Sequence, residues 1–234
     1  MAYMLGIDPS LRKAGYVVLD IDGPDDQVIE KGLLKTSDTD GILIQRIIKQ
    51  QEQIKNKILE YKIDFVGMEA PFFGGNEAEH LFALNQFIHQ IFLDLGTFVV
   101  AFPPQQLKKL TLPNRSVSDI GKAQMVNAAK DALNIHGKTL SNDIADAFWA
   151  GYYGKRFYKF FVLKNLKEED LGKYEQEVFA GKHTFSKGMK KGFTEYTGYI
   201  YRENEMFFDF VKIKRRLQDA KEKREMGSEE NDPS

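Results

Sequence analysis

The sequence predicts an α/β domain: a mixed five-stranded sheet flanked by helices, followed by an extension of different character. Three observations carry this. Short apolar runs broken by turn residues fill Met4 to Thr36. Apolar strands alternate with helical periodicity from Leu43 to near Phe161. From about Lys155 the chain becomes rich in Lys, Arg, Phe and Tyr.

The opening "MLGIDPSLRKAGYVVLD" reads as a strand, Met4–Ile7, a tight turn around Pro9 and Gly15, and a second strand, Gly15–Asp20, hairpinned on the first. "DIDGPDD" is a clear turn before a third strand, Val28–Thr36. Leu43–Tyr61 has Ile47, Ile54 and Ile58 at helical spacing with Lys, Gln and Glu between them. "IDFVGME" (Ile63–Glu69) is a short buried strand ending in a carboxylate. Glu77–Leu95 is a helix with apolar residues on more faces than one sheet contact needs. A second chain or the C-terminal extension would cover the excess. "TFVVAF" (Thr97–Phe102) is the fifth strand, and helices follow over Ile120–Leu133 and from about Ser141 towards Phe161. A hairpin meander followed by βαβ units gives a sheet with helices on both faces. The expected division is a core domain over residues 1–154 and an extension over 155–234. The extension is expected to hold a helix from about Arg202 to Arg224 and a disordered tail, "GSEENDPS".

Composition narrows the chemistry. With 234 residues and 42% hydrophobic content the chain can bury a sizeable core. It has no cysteine, which excludes disulfides, zinc–thiolate sites and cysteine nucleophiles. A formal net charge of -1 carries no global nucleic-acid signature, so such a function must come from local patches. No apolar stretch approaches the roughly 20 residues of a membrane span. The start "MAYMLGID" lacks the features of a secretory leader, and the expected setting is cytoplasmic.

Acids gather where a sheet would bring them together. Asp8 ends the first strand, Glu69 ends the fourth, and "SNDIADAF" supplies Asp143 and Asp146, three apart on one helical face. Each has a plain alternative, as a turn or strand-end acid, or, for Asp143, an answer to the helix dipole beside a capping Ser141 or Asn142. Jointly they read as a metal site, because four converging carboxylates would repel strongly without divalent cations. Hard oxygen ligands favour Mg²⁺ or Mn²⁺. Two such ions about 4 Å apart suit in-line attack of water on a phosphodiester.

In these motifs the chain resembles the RuvC-type Holliday junction resolvases of the RNase H-like nuclease superfamily. "LGIDPSLRKAGYVVLD" resembles that family's opening strand pair, "MEAPFF" its central Glu motif and "DIADAF" its paired-Asp helix, in matching order across about Met4–Gly154. The resemblance implies an RNase H-like fold, with Asp8, Glu69, Asp143 and Asp146 as the metal-binding catalytic acids. It also implies Mg²⁺-dependent cuts in two opposed strands of a four-way junction, made by a homodimer. Ser10 stands where bacterial members usually carry Gly, Ala14 where Thr is common, and the chain continues well past the paired-Asp helix. Such additions resemble bacteriophage and other viral members, for which the setting would be the host cytoplasm.

Basic and aromatic residues supply candidate DNA contacts. Lys108 and Lys122 best match positions where the family places lysines, with Lys109 beside them. A basic residue there could hold the scissile phosphate, Lys122 as part of the catalytic set. The alternative for each is a solvated helix face. Phe72 and Phe73 follow Glu69 and could stack on an unpaired base or fill the core. Lys187, Lys190 and Lys191 lie in "FSKGMKKGFTEYTGYIYRE", which suits DNA contacts or a β-rich subdomain with its aromatics inward. The four histidines show no ligand spacing.

The leading function is therefore a structure-selective, metal-dependent DNA endonuclease acting on Holliday junctions. The alternatives are a flap or other branched-DNA nuclease, a non-catalytic junction-binding protein, and an ATP-binding fold of the actin and sugar-kinase type. That last family needs a second phosphate loop and a Gly-rich adenosine motif, and neither is evident. A non-catalytic protein would normally have lost an acid, and all four are present.

Overall fold

The computed structural model of the chain describes residues 2–70 and 78–179, and beyond them the backbone of five short strands. In chain order, β1 (Tyr3–Asp8), β2 (Lys13–Asp20) and β3 (Val28–Lys35) form an antiparallel meander. After α1 (Leu43–Tyr61), β4 (Phe65–Glu69) returns parallel to β1. After α2 (Ala78–Leu95), β5 (Phe98–Phe102) adds parallel to β4. Then come α3 (Pro104–Thr111), α4 (Lys122–Ala132), α5 (Asn142–Phe157) and α6 (Lys173–Phe179). The short strands are β6 (Lys182–Thr184), β7 (Thr194–Tyr196), β8 (Tyr199–Ile200), β9 (Phe207–Asp209) and β10 (Val211–Lys212). The main sheet runs β3-β2-β1-β4-β5-β9, so the five expected strands gain a sixth, parallel to β5.

Strand alternation sorts the apolar residues into two cores. Leu5, Ile7, Val18 and Val66 face α1 and α2, against Ile54, Ile58, Leu84 and Ile88. Met4, Val17, Leu19, Phe65 and Val100 face the other way, against Leu107, Met125, Phe148 and Trp149. Each such side chain fully buried contributes about 1.5–3 kcal/mol, so both layers are firmly held.

Helix α5 lies across β1, β2 and β4, and glycines let it come close. A Cβ on Gly15 would stand 1.9 Å from the Asp143 carbonyl oxygen, and one on Gly67 would stand 2.2 Å from that of Ala150. Gly15 is therefore a strand residue that admits a helix, and it does not belong to the turn that the sequence suggests. The turn is made by Pro9 to Arg12.

Other elements have similar causes. Helix α3 carries Lys108 and Lys109 on a helix, as the helix-face reading of those lysines expects; Pro103 and Pro104 start it, and Leu107 and Leu110 bury one face. As the sequence predicts, helix α5 runs past Gly154, and it continues as a π-helical turn, Tyr158–Val162. Phe157, Leu171, Val178 and Phe179 join the core under α5, so the start of the extension packs its aromatics inward. The helix expected over Arg202–Arg224 is corrected where the chain is described: Phe207–Asp209 and Val211–Lys212 are strands, one of them completing the edge beside β5. Glu77, Phe72, Phe73, Lys187, Lys190, Lys191 and the expected tail lie outside the described residues. Among the described residues no helix is long and apolar enough to cross a membrane.

Candidate active site

Two neighbouring parallel strands each end in an acid. The last register pair of β1 and β4 is Ile7 with Met68, so Asp8 and Glu69 follow side by side, about one strand spacing (~4.8 Å) apart along the backbone. Glu69 is paired in turn with Phe102 of β5, and Asp8 with Gly15 of β2. The start of α5 rests on that same Gly15 through the Asp143 backbone, which brings the helix to the strand end. Ser141 is the cap, its Oγ accepting a hydrogen bond from the Ile144 N–H at 3.2 Å. Asp143 thus sits in the first turn, where it answers the dipole and still belongs to the cluster. Asp146, one turn on, shares its face, while Ala145, Ala147 and Phe148 are buried behind.

The four acids keep their oxygens half-buried, and among the described residues none forms a hydrogen bond or ion pair through them. Burial is the first reason that Asp8 is held well above the usual carboxylate range, and repulsion from Glu69, Asp146 and Asp143 adds to it. Burial and then Asp146 push Glu69 up to about 8. Burial pushes Asp146 up to about 6, with repulsion from Asp143. Lys122 pulls all three down, and Lys108 pulls on Glu69 and Asp146.

This is a hard-oxygen donor set whose repulsion a divalent cation would relieve, and the residues fit such an ion. Among the described residues no three acids or histidines are gathered closely enough to grip a metal as they stand. The fit therefore rests on donor chemistry and shared electrostatics.

The lysines divide. Lys122 opens α4, and that helix is fixed to α5 by Trp149, whose Nε1 donates to the Met125 carbonyl at 3.2 Å. Lys108 is in α3, directly after β5, and faces the same acids. Lys109 does not join them: its Nζ lies 4.4 Å over the Tyr174 ring. His89 Nδ1 is occupied with the Asn85 carbonyl at 2.8 Å, and His136 lies 3.6 Å from Asp131. Neither adds to the cluster.

The sequence model described as crossover junction endodeoxyribonuclease RuvC matches residues 4–150. The chain belongs to the RuvC family. The RuvC of Aliarcobacter butzleri is 31% identical over 148 residues, spanning 62% of this chain and 92% of its own. That of a Sulfurovum species is 32% identical over 148 residues, spanning 62% and 89%. The structure of Thermus thermophilus RuvC in complex with a Holliday junction substrate aligns with a TM-score of 0.56 at 19% identity, over 65% of this chain and 92% of that one. The RuvC match stops within α5.

Sequence reasoning missed the residues that seat α5. Gly15 and Gly67 act by lacking a side chain, and the signal available was glycine inside an otherwise apolar strand.

Proposed function

We propose that this chain is a Holliday junction resolving endonuclease that hydrolyses phosphodiesters with a divalent cation, Mg²⁺ with Mn²⁺ as substitute, two per site. The observation that carries it is the convergence of Asp8, Glu69, Asp143 and Asp146, half-buried and unpaired, in a chain of the RuvC family. In this reading the four acids are the metal ligands. Bound there, the ions would activate water and stabilise the leaving oxygen. Asp8 and Glu69 are held by two paired strands, and Asp143 and Asp146 by a capped helix, so the donors are fixed before substrate arrives. Lys122 and Lys108 keep cationic groups beside the acids, where they hold the scissile phosphate and meet the charge that develops on it.

Two symmetric cuts in a near-two-fold junction need two active sites related by a two-fold axis, hence a homodimer. Support comes from α2 and its neighbour α1, which leave Phe87, Leu93 and Ile48 exposed together with Phe82. Residues 155–234 are an extension of the nuclease domain of residues 1–154, and Lys187, Lys190 and Lys191 are its added DNA surface. Phe72 and Phe73, which follow Glu69 in the sequence, would stack on unpaired bases at the branch point. In this reading the reaction takes place in the cytoplasm.

The test is incubation of the full chain with labelled four-way junction, flap and linear duplex in Mg²⁺. Paired nicks in opposed junction strands are expected. Cutting of flaps alone would make it a different branched-DNA nuclease, and binding without cutting a junction-binding protein.

A further inference from the structure

The register of β2 with β3 sets Lys13 directly opposite Lys35. Like charges so placed repel across a ladder, and a sheet normally avoids the arrangement or supplies an acid. Here neither lysine has an acidic partner among the described residues, and both are exposed. Their basic neighbours are matched: Arg12 with Asp38 at 3.3 Å, and Lys49 with Asp40 at 2.6 Å. The four cations line one open cleft of about 400 Å³ together with Thr36 and Ser37, against the single carboxylate of Asp40.

The cleft has a firm floor. The Thr36 hydroxyl donates to the Leu11 carbonyl, and the Thr36 N–H donates to the Arg12 carbonyl at 3.0 Å, which ties the turn after Asp8 to the end of β3. Asp40 holds Lys49 and also accepts from the Ser37 N–H at 2.7 Å. Its charge is thus already committed, and the excess belongs to Lys13 and Lys35.

Position decides what would neutralise it. Lys13 lies two residues before Gly15 on the same face of β2, about 7 Å along the strand. Gly15 is paired with Asp8 and touches the Asp143 backbone. A DNA strand rises about 3.4 Å per nucleotide, so the cleft is within a few nucleotides of the carboxylate cluster. We propose that this cleft, through Lys13 and Lys35 with Arg12 and Lys49 at its rim, holds a backbone phosphate of the DNA strand that passes through the active site. The proposal rests on the nuclease reading and adds to it a positioning contact that carries no sequence information. Mobile, strongly hydrated ammonium groups in an open cleft suit a solvated phosphate better than a planar, buried carboxylate partner.

The experiment compares the full-length protein with Lys13→Gln/Lys35→Gln and with Lys62→Gln, which lies at the opposite end of the sheet. Binding to a four-way junction is measured across a salt series in Ca²⁺, alongside thermal melting with and without inorganic phosphate. The double variant should melt no lower than the parent, because a repulsive pair is removed. Its log affinity against log salt should flatten by about 0.9 per cleft, with Lys62→Gln unchanged. A parent that binds junctions and a double variant with the same slope would overturn the cleft and leave the nuclease reading standing. An unchanged slope, with inorganic phosphate raising the melting temperature of the parent but not of the double variant, would assign the cleft to a free anion and overturn the DNA contact. A parent that binds no branched DNA would overturn both. The single variant Lys35→Gln repeats the test should the double variant melt low.

Discussion

Over its first two turns α5 carries Asp143 and Asp146 towards Asp8 and Glu69, with no ion pair among the described residues to settle the charge. At its last turn, and in the π-helical turn beyond it, the same helix carries Lys155, Arg156 and Lys159 into a network in which each cation has hydrogen-bond partners, although burial pushes the Lys155 ammonium down to about 8. Lys155 is fully buried, and its Nζ donates to the carbonyls of Asp20, Gly23 and Pro24, the last two at 2.9 and 2.6 Å. Arg156 bonds Asp25 at 2.6 Å and Glu175 at 3.0 Å, and Lys159 bonds Asp25 at 2.8 Å. Burial alone would raise the Asp25 carboxyl, but hydrogen bonds from Lys159 and Arg156 outweigh it and hold the group below the usual range. Asp8, Glu69 and Asp146 are pushed the other way. One end of the helix secures the fold, and the other has no cationic partner bonded to it among the described residues.

Neutralising the first end should break activity and spare the fold. Asp8→Asn, Glu69→Gln, Asp143→Asn and Asp146→Asn are each expected to lower junction cleavage by about 10²–10³-fold or more while binding persists. Single-turnover rates and gel-shift affinities separate the two, and near-normal turnover by any one variant removes that residue from the site.

Damage at the other end should do the reverse. Arg156→Ala leaves Asp25 and Glu175 without their shared partner, which costs about 3–5 kcal/mol, or roughly 10 °C in melting temperature. Cleavage per folded molecule at low temperature should stay near normal, and a large loss of rate without a loss of stability would mean that the two ends are not independent.

Gly15→Ala should couple them. Its Cβ would meet the Asp143 carbonyl oxygen, so the first turn of α5 must lift from β2. A cost of about 1–3 kcal/mol is expected together with reduced cleavage. Full activity would show that the helix can shift without disturbing the acids.

Much of this was legible in the sequence. The meander, the βαβ order and α1 follow from apolar periodicity, and the four acids could be placed because each ends a strand or shares a helical turn. Seating α5 was not legible, since Gly15 reads equally well as a turn residue until the helix above it is known. The extension misled for a different reason. Its cations and aromatics fit a helix over Arg202–Arg224 locally, but Phe207–Asp209 answers the open edge of β5, a partner more than a hundred residues away in the sequence. The lysines of "PPQQLKKLTL" split because Lys108 faces the acids while Lys109 lies over Tyr174, a residue of the extension.

The central claim, that Asp146 and the acids beside it are left without an ion pair so that a divalent cation can neutralise them, is tested most directly by thermal melting of the wild type and Asp146→Asn, in chelator and in Mg²⁺, across pH. Glu69 ionises at about 8 in the fold against an ordinary 4.5. Its contribution to stability is therefore full below about 4.5 and is lost as pH rises through about 8. Without metal, the wild type should lose melting temperature over that range, and Asp146→Asn should melt at or above it. Mg²⁺ at about a hundred times its dissociation constant should restore about 2.7 kcal/mol to the wild type, roughly 5–10 °C, with more at pH 8 than at pH 5, and little to the variant. A wild type indifferent to Mg²⁺ at pH 8, with Asp146→Asn melting lower in chelator, would contradict the account.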